Sequence, residues 1–284
     1  MIDLLENKTR EIKIGEYGVV KLVDCMPRLI ENETETFDQH VLRAARVSYG
    51  ADLKETTAKE DRGLIRYLWR NQHGTPFEMV DIKFYMSLPI FVARQLIRHR
   101  MASVNEYSMR YKQPKDRFFI PDVEEVRKQS KTNKQGSEGP VNPAVAADFR
   151  THTLNEAAHC YEAYQQHVEE GIGKEIARIN LPLSAFTEWY WEIDLRNLLG
   201  FLTLRMDKHA QKEIRDYANA IYKLVAPLCP YTIEAFNDFT RNAMRLSALE
   251  IETIQNNRSS LGERGTDREQ VEFTEKLKVL GFKV

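Results

Sequence analysis

Residues 79–88 read MVDIKFYMSL, and their side chains alternate without a break. Val80, Ile82, Phe84, Met86 and Leu88 fall on one face, and Asp81, Lys83, Tyr85 and Ser87 on the other. A period of two with a single apolar face specifies a half-buried β-strand, so this chain has to build a sheet with one side against a core. Residues 17–25 and the segment FTEWYWEI at 186–193, rich in aromatic and β-branched residues, are weaker strand candidates.

Helical periodicity fills most of the remainder. It covers 36–47, then 61–72, where Leu64, Ile65, Leu68 and Trp69 form a stripe closed by Gly74 and Pro76. Pro89 opens a helix predicted to run through Arg100, because its missing N–H costs nothing in a first turn. A longer helix is expected over 145–170, stopped by Gly171, and Asp194 is placed as the N-cap of the next. A last stripe holds Ile214, Tyr217, Ile221 and Val225. Few strands among many helices, with no βαβ alternation, imply an α+β protein.

Residues 127–143, RKQSKTNKQGSEGPVNP, have no hydrophobic period and read as a mobile surface loop. Residues 255–269 read as a polar linker to a short amphipathic C-terminal segment, part of an extension that begins after about residue 242. The expectation is one domain spanning 1–284.

Lys plus Arg number 41 against 42 Asp plus Glu, so no global field draws the protein to nucleic acid or an anionic membrane. Any anion binding has to be local. Cys25, Cys160 and Cys229 are far apart and outside any C-x-x-C spacing, which fits reduced thiols better than disulfides or a zinc site. The first residues, MIDLLENKTREIK, lack the apolar run of a signal peptide, and no stretch is long enough to span a bilayer. A cytoplasmic protein is expected.

The strongest chemical signal is RHRMASVNEYSMR at 98–110. Arginine's planar fork suits phosphate oxygens, and the interleaved Ser103, Asn105, Glu106 and Ser108 can read a base or flavin edge. The same residues would also suit a solvated charged face, or an arginine paired with Glu106 across a subunit contact. An RNA-binding module using these arginines would need a basic surface, against which the charge balance stands. A flavoprotein of the dinucleotide-fold type, such as a folate- and FAD-dependent tRNA methyltransferase, would need a G-x-G-x-x-G turn between strand and helix; the nearest approach, GIGKE at 171, follows a helix. A purely structural protein is the third alternative.

The segment resembles the signature of the flavin-dependent thymidylate synthases, R-H-R-x-x-S-x-N-E-x-S-x-R, with all eight fixed positions filled: Arg98, His99, Arg100, Ser103, Asn105, Glu106, Ser108 and Arg110. AARVSYG at 44–50, HGTPFEM at 73–79, PIFVARQLIRHR at 89–100, EIARINLPL at 175–183, DLRNLLGFLTLRMDKHAQKEI at 194–214 and CPYTIEAF at 229–236 are also similar to family segments, in family order. The resemblance implies a mainly helical fold with a small antiparallel sheet. It also implies dTMP formation from dUMP, with carbon from 5,10-methylenetetrahydrofolate and hydride from NADPH through bound FAD, in a homotetramer with active sites at subunit interfaces.

By the same resemblance, Thr75, Arg98, His99, Arg100 and Glu106 correspond to FAD contacts, with Ser48 and His73 as further candidates. Arg196 lies in the matched 194–214 segment and joins the cofactor set with Asp194 and Gly200, two positions where this chain departs from the commoner residues. Asp194 replaces Asn and could equally serve only as a helix cap; Gly200 replaces a His or Asn and offers only backbone. Gln95, Arg98, Glu106, Tyr107, Ser108, Met109, Arg110, Arg178 and Arg205 correspond to the dUMP pocket. Arg205 matches the arginine that stabilises the N3-deprotonated uracil and so activates C5; it is the catalytic candidate. Ser108 has no adjacent base and is assigned to binding rather than nucleophilic attack. His209, four residues past Arg205, reads as a core or supporting histidine on the same helix face. No metal is expected.

Overall fold

The computed structural model describes residues 10–27, 36–50, 56–131 and 136–282. The N-terminal stretch read for a leader therefore lies mostly outside the described residues, as does part of the 127–143 segment. The described residues fall into two compact units, one ending at Ala235 and the other beginning at Phe236.

In the first unit the alternating segment forms strand β3 (Asp81–Pro89), after β1 (Glu11–Ile14) and β2 (Gly18–Met26). With β4 (Ser103–Glu106) and β7 (Phe186–Asp194) these make a five-stranded antiparallel sheet in the order β1-β2-β3-β7-β4. A sheet with no parallel pair excludes the dinucleotide-fold alternative. The period-two pattern works as read: Ile82, Phe84, Met86 and Leu88 are fully buried, joined on the same face by Trp189, Trp191 and Ile193 of β7. On the opposite face Lys83 bridges to its cross-strand neighbour Glu192 at 3.0 Å, and Tyr85 meets Tyr190 edge-on.

Helices make up most of the rest of this unit. These are α1 (Phe37–Arg46), α2 (Ala58–Arg70), α3 (Thr75–Glu78), α4 (Ile90–Leu96), α5 (Pro143–Glu169), α6 (Lys174–Ala177), α7 (Leu195–Arg205), α8 (Lys212–Val225) and α9 (Pro230–Phe236). Helix α7 is nearly apolar all round at its centre, with Leu195, Leu198, Leu199, Phe201 and Leu202 buried. Asp194 caps it as read, accepting from the Asn197 N–H at 2.9 Å.

Three expectations change. The helix opened by Pro89 ends at Leu96 rather than Arg100. Beyond Ile97 the sequence offers Arg-His-Arg, with nothing apolar to bury, and the Arg98 and His99 N–H groups fold back onto Gln95 and Leu96 carbonyls in a tight turn. Within 98–110, Ser103–Glu106 is an edge strand, held by β7's outer backbone instead of by apolar side chains of its own. Residues 127–143 are not wholly a loop: β5 (Arg127–Gln129) and β6 (Ser137–Pro140) pair as a ribbon, closed by Ser130 Oγ donating to Glu138 at 2.8 Å.

The second unit contains α10 (Ala248–Gln255) and α11 (Asp267–Val279), so the predicted linker gives way to helix at Asp267. Each helix starts with a capping box, Ser247 with Glu250 and Thr266 with Glu269, a spacing present in the sequence. Leu261, Phe273 and Leu277 form a small core with Leu249 and Ile254.

Gly200 sits mid-helix in α7, and a methyl group added there would meet nothing within 4 Å. Gly200→Ala is therefore expected to stabilise the FAD-free protein by about 0.5–1 kcal/mol through reduced unfolded-state freedom. In a thermal scan that is a Tm gain of roughly 2 °C; a lower Tm would show that the space is filled.

Candidate functional site

The turn after α4 and the last residue of α7 bring three predicted residues together. Arg205 Nε donates to His99 Nε2 at 3.1 Å, and its Nη2 lies 3.4 Å from the Gln95 carbonyl oxygen. Gln95 in turn donates through Nε2 to Oε1 of Gln211, the residue before α8. The His99 ring rests edge-on against Phe201 at 4.8 Å, and Phe201 packs on Trp191. Phe201 and Gln211 were not singled out from the sequence. Phe201's contact is a one-turn offset from Arg205 on α7 and could have been found by helix spacing; the Gln211 contact could not.

This packing decides protonation. Burial, then the Arg205 cation, lowers His99 from 6.5 to about 4. The imidazole is neutral near pH 7, and the Arg205 N–H fixes Nε2 as acceptor, leaving the proton on Nδ1. Burial also lowers Arg205 from its ordinary value, yet a guanidinium stays charged at neutral pH. Between pH 6.5 and about 4 folded His99 holds fewer protons than unfolded, so its contribution to stability falls as the pH drops through that window. An NMR titration is expected to give His99 a midpoint near 4; a midpoint above 6 would mean a solvated, chargeable ring.

The remaining predicted residues fall into separate groups. Glu106, at the end of β4, accepts from Thr187 Oγ1 at 2.7 Å. Tyr107 follows, its N–H donating to the Glu188 carbonyl and its hydroxyl to the carbonyls of Lys112 and Gln113. Both line a cleft of about 250 Å³ with Asn105, Tyr85, Glu188 and Tyr190. Ser108 Oγ accepts from the Arg110 N–H, Met109 is buried, and exposed Arg110 reaches Glu175 on α6 at 3.3 Å. Arg178 is three residues further along, in the short turn after α6. Exposed Arg98 and Arg100 make no ion pair among the described residues.

At the other end of α7, the Arg196 guanidinium lies over the Trp69 ring at 5.2 Å and beside Gly74, where a Cβ would come within 2.9 Å of its Nε. Thr75 opens α3 next in sequence and is exposed. Asp194 has one oxygen on the Asn197 N–H and the other on its side-chain nitrogen at 2.6 Å, which accounts for it as a cap. Arg196 and Arg205 are separated by nine helical steps, about 13 Å, so one chain presents two donor clusters rather than one. His73 packs edge-on against Tyr67, and Ser48 is exposed in the turn after α1.

His209 is corrected: α7 ends at Arg205, and exposed His209 sits in the following turn, held by Asp207 at 2.8 Å. The helix stops because Asp207 takes that N–H into a side-chain turn. Cys229 is no nucleophile, since complete burial, then the charge of Asp38, pushes its thiol well up. Among the described residues no group of three or more His, Cys, Asp or Glu could hold a metal ion, and no helix is long and apolar enough to cross a membrane.

The donor set is suited to a flavin dinucleotide: two guanidiniums without ion-pair partners, a neutral imidazole with a free N–H, and open space at Gly200. Residues 28–231 match the family model described as thymidylate synthase complementing protein. A flavin-dependent thymidylate synthase from Dictyostelium discoideum is 50% identical over 270 residues, covering 95% of this chain and 87% of the relative. One from Treponema denticola is 42% identical over 273 residues, covering 95% and 97%. The solved structure of a UMP/dUMP methylase, PolB from Streptomyces cacaoi, bound with 5-Br dUMP, is similar with a TM-score of 0.71 at 33% identity, covering 81% of this chain and 99% of that one.

Proposed function

The chain belongs to the flavin-dependent thymidylate synthase family, and from that membership we infer its reaction: reductive methylation of dUMP to dTMP. Carbon comes from 5,10-methylenetetrahydrofolate, reducing equivalents come from NADPH, and tetrahydrofolate is released. Bound FAD supplies the hydride relay between NADPH and the nucleotide. Everything else falls to side chains.

The observation that carries the reading is the Arg205–His99–Gln95 cluster. Two hydrogen bonds hold the Arg205 guanidinium by its Nε–Nη2 edge. In a half-buried setting that cation favours the N3-deprotonated uracil and raises electron density at C5, a preorganised electrostatic effect. Gln95 positions the base, and Glu106, Tyr107, Ser108 and Met109 shape its pocket. Arg110 and Arg178 meet its phosphate. Arg98, Arg100, His99, Glu106, Thr75 and Arg196 hold the flavin dinucleotide, with Gly200 allowing close approach.

The protein works as a homotetramer with its sites between subunits. Support for that assembly comes from the family membership. Cys25, Cys160 and Cys229, widely spaced and outside any disulfide, agree with a reducing, cytoplasmic setting. The 1–284 chain acts as one functional domain.

The test is the visible spectrum of purified protein, followed anaerobically on adding NADPH with and without dUMP. An oxidised flavin band that bleaches, at a rate dependent on dUMP, is expected. A protein that stays colourless after incubation with FAD would overturn the reading.

A further inference from the structure

A cavity of about 440 Å³ lies between the β5–β6 ribbon and the turn that leads into α8, and no residue assigned above to FAD or dUMP lines it. Its size is that of a small-ligand site. Four observations bear on what it holds.

First, its walls carry Arg127 from the ribbon and Lys208, Lys212 and Arg215 from the α8 side. Arg127 and Lys208 make no ion pair among the described residues, whereas the acids nearby are engaged: Glu125 with Lys212 at 2.6 Å, and Glu138 with Ser130 Oγ and the Lys131 N–H. Glu213 is the remaining acid in the wall. Second, Arg215 donates through Nη1 to the Lys208 carbonyl, while its Nε is buried with no partner. The Lys208 carbonyl thus anchors the Arg215 guanidinium in the wall, with Nε turned away from solvent. Third, α8 opens here with no side-chain cap, because the Gln211 side chain is turned away to Gln95. Its first N–H groups and dipole favour an anion. Fourth, that same Gln211–Gln95 contact ties the cavity wall to the Arg205 cluster.

We propose that this groove binds the oxyanion tail of a co-substrate whose reactive end lies at the Arg205 cluster: the glutamate carboxylates of the folate or the phosphates of the nicotinamide dinucleotide. The inference rests on the thymidylate synthase reading and deepens it. Guanidinium forks, an ammonium and free helix N–H groups recognise carboxylate and phosphate alike, and the ribbon supplies one wall of the site.

The test uses the FAD-loaded protein and the double variant R127A/K208A, both positions exposed and outside the assigned chemistry. Binding is followed by calorimetry with pteroyltriglutamate and pteroic acid, with NADP+ and NAD+, and with dUMP. Loss of two charge contacts is expected to weaken one charged tail roughly tenfold while dUMP binding is unchanged. Weakening of pteroyltriglutamate with pteroic acid unaffected assigns the carboxylate tail; weakening of NADP+ more than NAD+ assigns the phosphate. Equal affinities in wild type and variant, with R127E/K208E also equal, overturn the proposal, as does weakening confined to dUMP. Wild-type protein that makes no dTMP would instead mean that the family reading had failed, so the two failures are separable.

Discussion

Arg205→Ala is expected to lower kcat/KM for dTMP formation by about 10²–10³, the range for removing one preorganised donor from a developing anion. The fold and FAD are expected to remain. Arg205 is the last residue of α7, and losing its bonds to His99 and the Gln95 carbonyl costs roughly 1–2 kcal/mol. The effect should fall mainly on turnover rather than on dUMP affinity, because the cation is worth most when charge grows on the base. Arg205→Lys keeps the charge but not the fork, so the bond that orients it on His99 is lost and only part of the activity returns. Turnover in Arg205→Ala within threefold of wild type would remove Arg205 from the chemistry.

Asp38→Ala is expected to be the most destabilising single change outside the sheet core. The Asp38 carboxylate, 1% exposed, accepts from the Tyr231 and Thr232 N–H groups at 2.7 and 3.0 Å and from Thr232 Oγ1 at 2.6 Å. It caps the start of α9 from a helix 193 residues earlier in the chain. Burial pushes its carboxyl up against hydrogen bonds that favour the anion. Removing it strands three donors, two of them buried, at about 3 kcal/mol, or a Tm loss of roughly 6–12 °C. Thr232→Val removes one donor and should cost about 1 kcal/mol. If thermal scans rank the two variants equally, the carboxylate is not holding α9.

The elements legible in advance were those with a local cause. β3 alternates because one face meets the core, and Asp194 caps α7 because its oxygen lies within reach of an N–H three residues on. The signature at 98–110 declared anion chemistry through residue type alone. The reading went wrong where the next contact decided the outcome. Ser103–Glu106 has no strand pattern, yet β7 offers an unpaired edge. Arg98–Arg100 looked like more helix, yet the His99 ring is drawn onto Phe201. The two capping boxes of the second unit have a purely local spacing, Ser247 with Glu250 and Thr266 with Glu269, and are legible in the sequence.

By itself, then, the sequence determined the class of fold, the main strand, most helix starts and the kind of ligand, because periodicity, caps and side-chain chemistry act over a few residues. The tertiary structure alone decided that Arg205 meets His99 across 106 positions, that Gln211 turns toward Gln95, and that Asp38 caps α9. Such contacts depend on how sheet and helices pack, and a buried polar group takes whatever partner that packing brings within hydrogen-bond distance.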